Sequence, residues 1–364
     1  MRKTALLMSV VLSVAVNAQR MTDSETHSAY IQAVDEYVPA PGQFVNDLPI
    51  YEDGDDAAAM AAKCTAVLAN DERGLVSLGG WGGYITFHFD HSIANVNGER
   101  DIFIRGNAIQ SMSFTSVAGG SSEPGIIMVS KDTNNNGLPD DEWYEISGSA
   151  DVDSVGLVDY GYSVTYRRNA MQDIPWTDNR NGSGVIPRIN QYHSQEYYPQ
   201  WITADEMTFT GTRLPRNAYR HTQTVNGQEY GEWVFMFMRY GYADNQPNAQ
   251  KEACSIDIDW AVDAERKSVK LDFVDFVRVY TGINQVVTAN IGETSTEISG
   301  AEDLHLEASL AAIKEATGIE ECREDDTVKA QSYYSLSGQQ LQQPERGLNI
   351  VRMSNGKTRK VLIK

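Results

Sequence analysis

The chain is poor in the features that usually assign a protein quickly. It has three cysteines in 364 residues (Cys64, Cys254 and Cys322) and no CxxC pair, which excludes a thiolate zinc site of the usual spacing and a dense disulfide scaffold. Its six histidines, His27, His88, His91, His193, His221 and His305, are scattered, and none belongs to an HExxH motif. No GxSxG elbow, P-loop or dinucleotide fingerprint stands where a strand would meet a helix. Basic residues are scarce: 30 Lys and Arg against 50 Asp and Glu give a net charge of −20, which opposes nucleic acid and other polyanions. Long helical periodicity is nearly missing while glycine is plentiful (29 residues), a balance that points to an all-β body. No segment reaches the about 18 consecutive apolar residues of a membrane-spanning helix, so no transmembrane span is expected.

What is present begins at the two ends. Arg2 and Lys3, an apolar run from Ala5 to Val16 and Val16-Asn17-Ala18 form the charged, apolar and small-residue regions of a secretory signal over residues 1–18. Export exposes the thiols to an oxidising compartment, where an odd count leaves at least one unpaired. Cys64 with Cys254 is the pair to test, with all three buried or free as the alternative. At the other end, residues 328–364 carry seven Lys or Arg and one Glu, a net +6. Removing that +6 and the +2 of Arg2 and Lys3 from −20 leaves −28 for residues 19–327, so the basic tail reads as a separate unit. The tail runs Tyr333-Tyr-Ser-Leu-Ser-Gly338, Leu348-Asn-Ile-Val-Arg-Met353, an Asn355-Gly356 turn and Lys360-Val-Leu-Ile-Lys364, the pattern of a small β-meander. It resembles the C-terminal sorting domain of type IX secretion substrates. That resemblance implies the type IX machinery as a partner and a destination at the cell surface or in the medium.

Between the ends the chain alternates. Asp53–Asn70 predicts an early helix, with aspartates at its start and alanines in its body. From Gly74 onward the period changes to two, with Tyr84, Thr86 and His88 alternating against Ile85, Phe87 and Phe89. Strands are expected at 101–105, 126–130, 143–147, 164–167, 206–210, 232–239, 255–260 and 273–280, separated by long polar loops. The fold class expected is an all-β, jelly-roll-like β-sandwich with long loops, plus a small C-terminal β sorting domain. Residues 19–52 read as an N-terminal extension or lead-in strand, 53–306 as the sandwich, 307–330 as a short helix and acidic linker, and 331–364 as the sorting domain.

Three constellations bear on chemistry. Lys131–Glu145 reads KDTNNNGLPDDEWYE, with oxygen side chains at loop positions 1, 3 and 5 (Asp132, Asn134, Asn136), then Gly137, the Leu138 carbonyl at 7 and Asp140 at 9. Ca²⁺ takes six to eight oxygens, so this is a calcium-type half-loop. Position 12 is Trp143 rather than a bidentate Glu, so Glu142 is the candidate closing ligand and the flanks look like strands. Calcium as a rigidifying brace and a plain hairpin tip both stay open. Ser255-Ile-Asp257-Ile-Asp259-Trp260 is similar to the alternating carboxylate strand of jelly-roll β-glucanases, with Ser255 in the nucleophile's slot. Between Asp159 and Trp201 lie eight aromatics, several in Pro/Asn/Gly-rich loops. Trp176, Tyr197, Tyr198 and Trp201, with Tyr240 and Tyr242 of Arg239-Tyr-Gly-Tyr-Ala-Asp-Asn245, are the candidate ligand-stacking residues.

Further strings carry a second likeness: Glu36-Tyr-Val-Pro-Ala-Pro-Gly-Gln-Phe44, Asn136-Gly-Leu-Pro-Asp-Asp-Glu-Trp-Tyr-Glu145, Tyr198-Pro-Gln-Trp201 and Ile256-Asp-Ile-Asp-Trp-Ala-Val-Asp263. They resemble a family of secreted or cell-surface proteins, often carrying PKD-type modules, from bacteria that use type IX export. The resemblance implies a cell-surface protein with no defining enzymatic activity, associated with nutrient capture, cobalamin included; with the aromatic loops, the expectation is a surface-associated, non-catalytic binding protein for a nutrient or glycan. The chain departs from the family in lacking a lipobox cysteine and a PKD module. The alternative is a jelly-roll glycan-active enzyme, a hydrolase or a lyase.

Overall fold

The computed structural model describes residues 27–189, 192–317, 330–335, 338–344, 347–353 and 358–363. The signal region, the acidic stretch 320–326 with Cys322, and the Asn355-Gly356 turn lie outside the described residues. Strand accounts for 39% and helix for 8%, and every strand pairing is antiparallel, so the all-β class holds. Two compact units divide the chain, residues 1–306 and 307–364.

The first unit is organised by one large sheet. Its strands run in the order Ala33–Val38, Tyr84–Ala94, Phe273–Thr281, Gly125–Ser130, Trp143–Ile146 and Ala261–Val262, with Tyr242–Ala243 also paired to Gly125–Ser130. The two-residue period decides which face is dry. Ile85, Phe87 and Phe89 share a buried core with Val277, Val279, Ile127 and Val129 of the neighbouring strands. A smaller sheet covers that face, in the order Ser255–Ile256, Ile102–Arg105 and Gly300–Asp303, contributing Ile102, Ile104, Ile256 and Ala301 to the same core. Residues 33–38, within the segment read as an extension or lead-in, are an edge strand of the main sheet.

The helix forms where its sequence directs, at Ala57–Leu68. Asp56 is the N-cap, its Oδ1 accepting from the Ala59 amide at 2.9 Å. Met60, Cys64 and Leu68, four apart, form its buried stripe, and Thr65 Oγ1 accepts from Val34 N at 2.9 Å where the edge strand breaks register. A second core lies under a four-stranded sheet, ordered Ser183–Ile186, Ile174–Asp178, Asp159–Arg167 and Glu206–Arg213. Trp81 fills it from a glycine-rich corner and meets Tyr162 edge-on at 4.8 Å. Gly82, at φ +87°, packs against Phe209 so closely that a Cβ would fall 2.4 Å from that side chain. A two-stranded ribbon, Ala218–Val225 with Gln228–Met236, is mostly exposed and joins a short strand at Gly119–Gly120.

The second unit holds the Leu306–Thr317 helix, which begins at its boundary, and a four-stranded antiparallel sheet. The tyrosine strand Ala330–Tyr334 lies between Gln340–Leu341 and Gly347–Met353, and Thr358–Ile363 closes the edge. Among the described residues no helix is long and apolar enough to cross a membrane.

Candidate functional site

The aromatic loops fold inward. Tyr197 and Tyr198 are completely buried, Trp201 and Tyr242 nearly so. Each hydroxyl of the three tyrosines is engaged with backbone. Tyr197 Oη accepts from Ile189 N (3.0 Å), Tyr198 Oη donates to Ala204 O (2.9 Å) and Tyr242 Oη accepts from Ala150 N (3.2 Å). Trp201 stacks on Tyr37 at 5.5 Å and on Tyr51 at 6.2 Å. Gly148 lies against the Tyr242 ring, where a Cβ would come within 2.2 Å. These four rings hold long loops onto the sheets and present no open stacking face, which corrects their assignment as ligand contacts. Trp176 and Tyr240 are half-buried: Gly184 packs on the first, and the second meets Trp260 at 4.9 Å.

The acidic strand is also rearranged. Pairing ends at Ile256, and Asp257 caps a 3₁₀ turn at Ile258–Trp260 by accepting from Asp259 N at 2.8 Å. Asp259 accepts from Asn95 Nδ2 at 2.8 Å. The two carboxylates therefore do not project from one strand face toward a shared substrate.

The half-loop joins Gly125–Ser130 to Trp143–Ile146, two paired strands, as its flanks suggested. Asp132 accepts from Asn136 N (3.1 Å) and Gly137 N (2.8 Å), Asn134 Oδ1 from Asn136 N (2.9 Å) and Asn136 Oδ1 from Leu138 N (2.8 Å). Asp140 receives Asn136 Nδ2 at 3.0 Å, so four of the six expected ligating residues gather round one turn. Glu142 instead accepts from Tyr144 Oη at 2.9 Å, outside that group. Leu138 is exposed.

An open concavity lies elsewhere, on the outer face of the small sheet. It encloses about 560 Å³ between Tyr30, Arg73, Phe103, Arg105, Asn248 and Glu302. Alternation along Ile102–Arg105 sends the two isoleucines to the core and turns Phe103 and Arg105 to this side. Across the ladder Arg105 faces Gly300, at φ +132°, where a Cβ would lie 3.0 Å from the guanidinium. The guanidinium sits 5.5 Å from the Tyr30 ring, and its Nη1 donates to Asp71 at 2.6 Å. Its Nε is buried and unpartnered. Hydrogen bonds from Arg105 and Arg73 hold the Asp71 carboxyl below its usual range. Lys251 spans to Glu302 at 2.8 Å over the Phe103 ring.

The floor of this cleft is fixed from behind. Asn248 brackets Gly106, donating to its carbonyl (2.8 Å) and accepting from its amide (3.1 Å), and Ser299 Oγ donates to the same carbonyl at 3.0 Å. Asp244 accepts the next two amides, Asn107 at 2.7 Å and Ala108 at 2.9 Å, and presses so close to Gly106 that a Cβ there would meet it at 2.2 Å. The Arg239–Asn245 segment thus borders the concavity through Asp244, a residue that the aromatic reading of the sequence passed over. Asp244, Glu123 and Glu297 bring carboxyl oxygens within 4.8 Å of one another, the first and last buried and Glu123 half-buried. Ser295 Oγ (2.8 Å) and Asn107 Nδ2 (3.1 Å) donate to Glu297, and Ser295 N donates to Glu123 at 3.2 Å. Burial drives all three pKa values up; repulsion from Glu297 adds to it at Glu123 and Asp244, while hydrogen bonds hold Glu297 back to about 7. Burial raises nearby Glu293 to about 8. Such groups hold protons in the folded state, so the cluster is a hydrogen-bonded scaffold behind the floor.

No protein-family model matches the chain, and no curated protein is significantly similar to it.

Proposed function

We propose that the protein is a secreted, surface-associated, non-catalytic binding protein that captures a glycan or another small polar nutrient in the Tyr30–Arg105 cleft. The observation that carries this reading is Arg105: a buried guanidinium that lines an open cleft beside the Tyr30 ring. An open cleft lined by a fixed guanidinium, an aromatic ring and polar side chains is the setting in which a small polar ligand is held. Aromatic faces next to a fixed fork of donors and an amide suit hydroxyl-rich ligands. Export rests on the signal pattern and the sorting-domain resemblance of the tail.

Calorimetry against an oligosaccharide and cobalamin panel tests the reading. One ligand class should bind, Arg105→Lys and Tyr30→Ala should each weaken it about tenfold or more, and prolonged incubation should release no product. New reducing ends, abolished by Asp257→Asn or Asp259→Asn, would establish the glycan-active alternative instead. Binding that ignores both cleft variants would remove the cleft from the proposal.

The Asp132–Asp140 turn is proposed as a calcium brace, supported by the gathered oxygen ligands. Ca²⁺ at about 1 mM, in the range of extracellular modules, should raise the melting temperature of the chelator-treated protein, and Asp132→Ala should abolish the rise. An unchanged melting temperature would leave the turn a plain hairpin tip.

A further inference from the structure

A register break in the main sheet aims two adjacent side chains at one point. Between Tyr84–Ala94 and Phe273–Thr281, Val274 pairs with Ile93 and Phe276 with His88. Four residues, Phe89 to Ser92, therefore oppose the single Asp275. In a regular strand Asp90 and His91 would point to opposite faces; bulges re-aim side chains and are frequent beside functional sites. Here His91 Nδ1 comes 2.5 Å from Asp90 Oδ1. His27, arriving from the segment before the edge strand, brings its own Nδ1 to 3.3 Å from the same oxygen.

We propose that His27, Asp90 and His91 bind a divalent transition cation of the zinc class, with Asp303 as the positioning residue behind His91. Two imidazole nitrogens and one carboxylate oxygen lie within 4.8 Å of one another, the donor set of a three-ligand zinc site with a fourth position left for water. Calcium and magnesium prefer oxygen ligands, which separates this site from the Asp132 turn. Metal-bound histidines characteristically give their second ring nitrogen to a carboxylate. His91 Nε2 meets Asp303 Oδ2 at 2.8 Å, with both side chains fully buried. Asp90 is oriented as well, because Ser28 N holds its other oxygen at 3.1 Å and leaves Oδ1 toward the imidazoles. Donors about 2.0–2.2 Å from a tetrahedral ion stand roughly 3.3–3.5 Å apart. The His27–Asp90 spacing already meets that, and His91 needs to open by roughly 1 Å. His27 and Asp90 keep about a fifth to a quarter of their side-chain surface exposed, which gives a metal its route in. A bound ion would tie residues 27–29 to the sheet, where Asp303 N already donates to Ala29 O at 2.7 Å.

The alternative is a protonated His91 bridging Asp90 and Asp303 with no ion. The test uses the metal-stripped full chain carrying Asp132→Ala, titrated with Co²⁺ for its visible absorption and with Zn²⁺ by calorimetry. One equivalent should bind with a tetrahedral cobalt spectrum. His27→Ala should weaken binding at least tenfold, while the melting temperature of the metal-free protein stays unchanged. Asp303→Asn should weaken it about 10–100-fold without touching the ion. Absence of a nitrogen-ligated cobalt spectrum, or binding that survives His27→Ala undiminished, overturns the site. Should Asp303→Asn fail to fold, the His27 comparison alone decides.

Discussion

Glu297 and Glu293 ionise near pH 7 and 8 in the folded protein, whereas their ordinary value is 4.5, and Glu123 and Asp244 move the same way. The sign follows from proton binding. Below about pH 4.5 both folded and unfolded chains carry these protons. Above it the unfolded chain loses them first, so the folded state holds more protons and stability declines as pH rises. For Glu297 and Glu293 the decline runs up through their folded values near pH 7 and 8. Melting temperature should therefore be higher at pH 5 than at pH 8.5, and each kcal/mol regained is worth roughly 1–2 °C in a chain of this size. Glu297→Gln, which keeps the shape and removes the ionisation, should flatten that profile. A flat or rising profile in the unsubstituted protein would show the cluster to be ionised when buried. None of this was legible in the sequence. Glu123, Asp244, Glu293 and Glu297 are unremarkable acids spread over 175 positions, brought together only by chain crossings. Asp257 and Asp259 failed for the converse reason: their spacing suits a strand, but an Asp accepting from the amide two residues on favours a turn, and the turn won.

Elements with a strong period were the readable ones. The strands at Ile102–Arg105, Gly125–Ser130, Trp143–Ile146 and Phe273–Thr281 lie within one residue of their expected bounds, and the helix at Ala57–Leu68 starts four residues after its expected Asp53. Ile174–Asp178, Ser183–Ile186 and Ala218–Val225 were missed, because proline, glycine and a largely polar ribbon carry no apolar alternation to detect. The aromatic loops stand out in the sequence by their density, and in the structure Tyr197, Tyr198, Trp201 and Tyr242 are buried rings that pin those loops. Composition cannot tell a ring that stacks on a ligand from one that pins a loop, since both need flat apolar area and a polar tip. Tyr198→Ala and Trp201→Ala should accordingly destabilise by roughly 3–5 kcal/mol in urea denaturation. Ligand affinity of the folded fraction should be unaltered. A loss of affinity without loss of stability would return these residues to a binding role.

Over the whole molecule, the acidic body and the basic tail differ in charge along the sequence, but the division at residues 306 and 307 falls ahead of that change near residue 328, so the second unit takes in the acidic stretch as well as the tail. The large concavity was not anticipated. It is assembled from Tyr30, Arg73, Arg105, Asn248 and Glu302, which share no motif and meet only because the small sheet lies across the main one. Cys64 and Cys254, considered as a pair, are instead separate buried thiols. Cys64 is fully sealed on the inner stripe of the helix, and Cys254 is 3% exposed. Burial lifts both thiols, Cys254 to about 11, so neither forms a thiolate readily at neutral pH. The two sulfurs therefore serve as built-in clocks. In a Cys322→Ser background, an aromatic disulfide reagent should label them only as fast as the fold opens, and mass spectrometry would time the helix and the small sheet separately. Equal rates would mean the first unit opens as one cooperative body; a faster Cys64 would mark the helix as the first piece to leave.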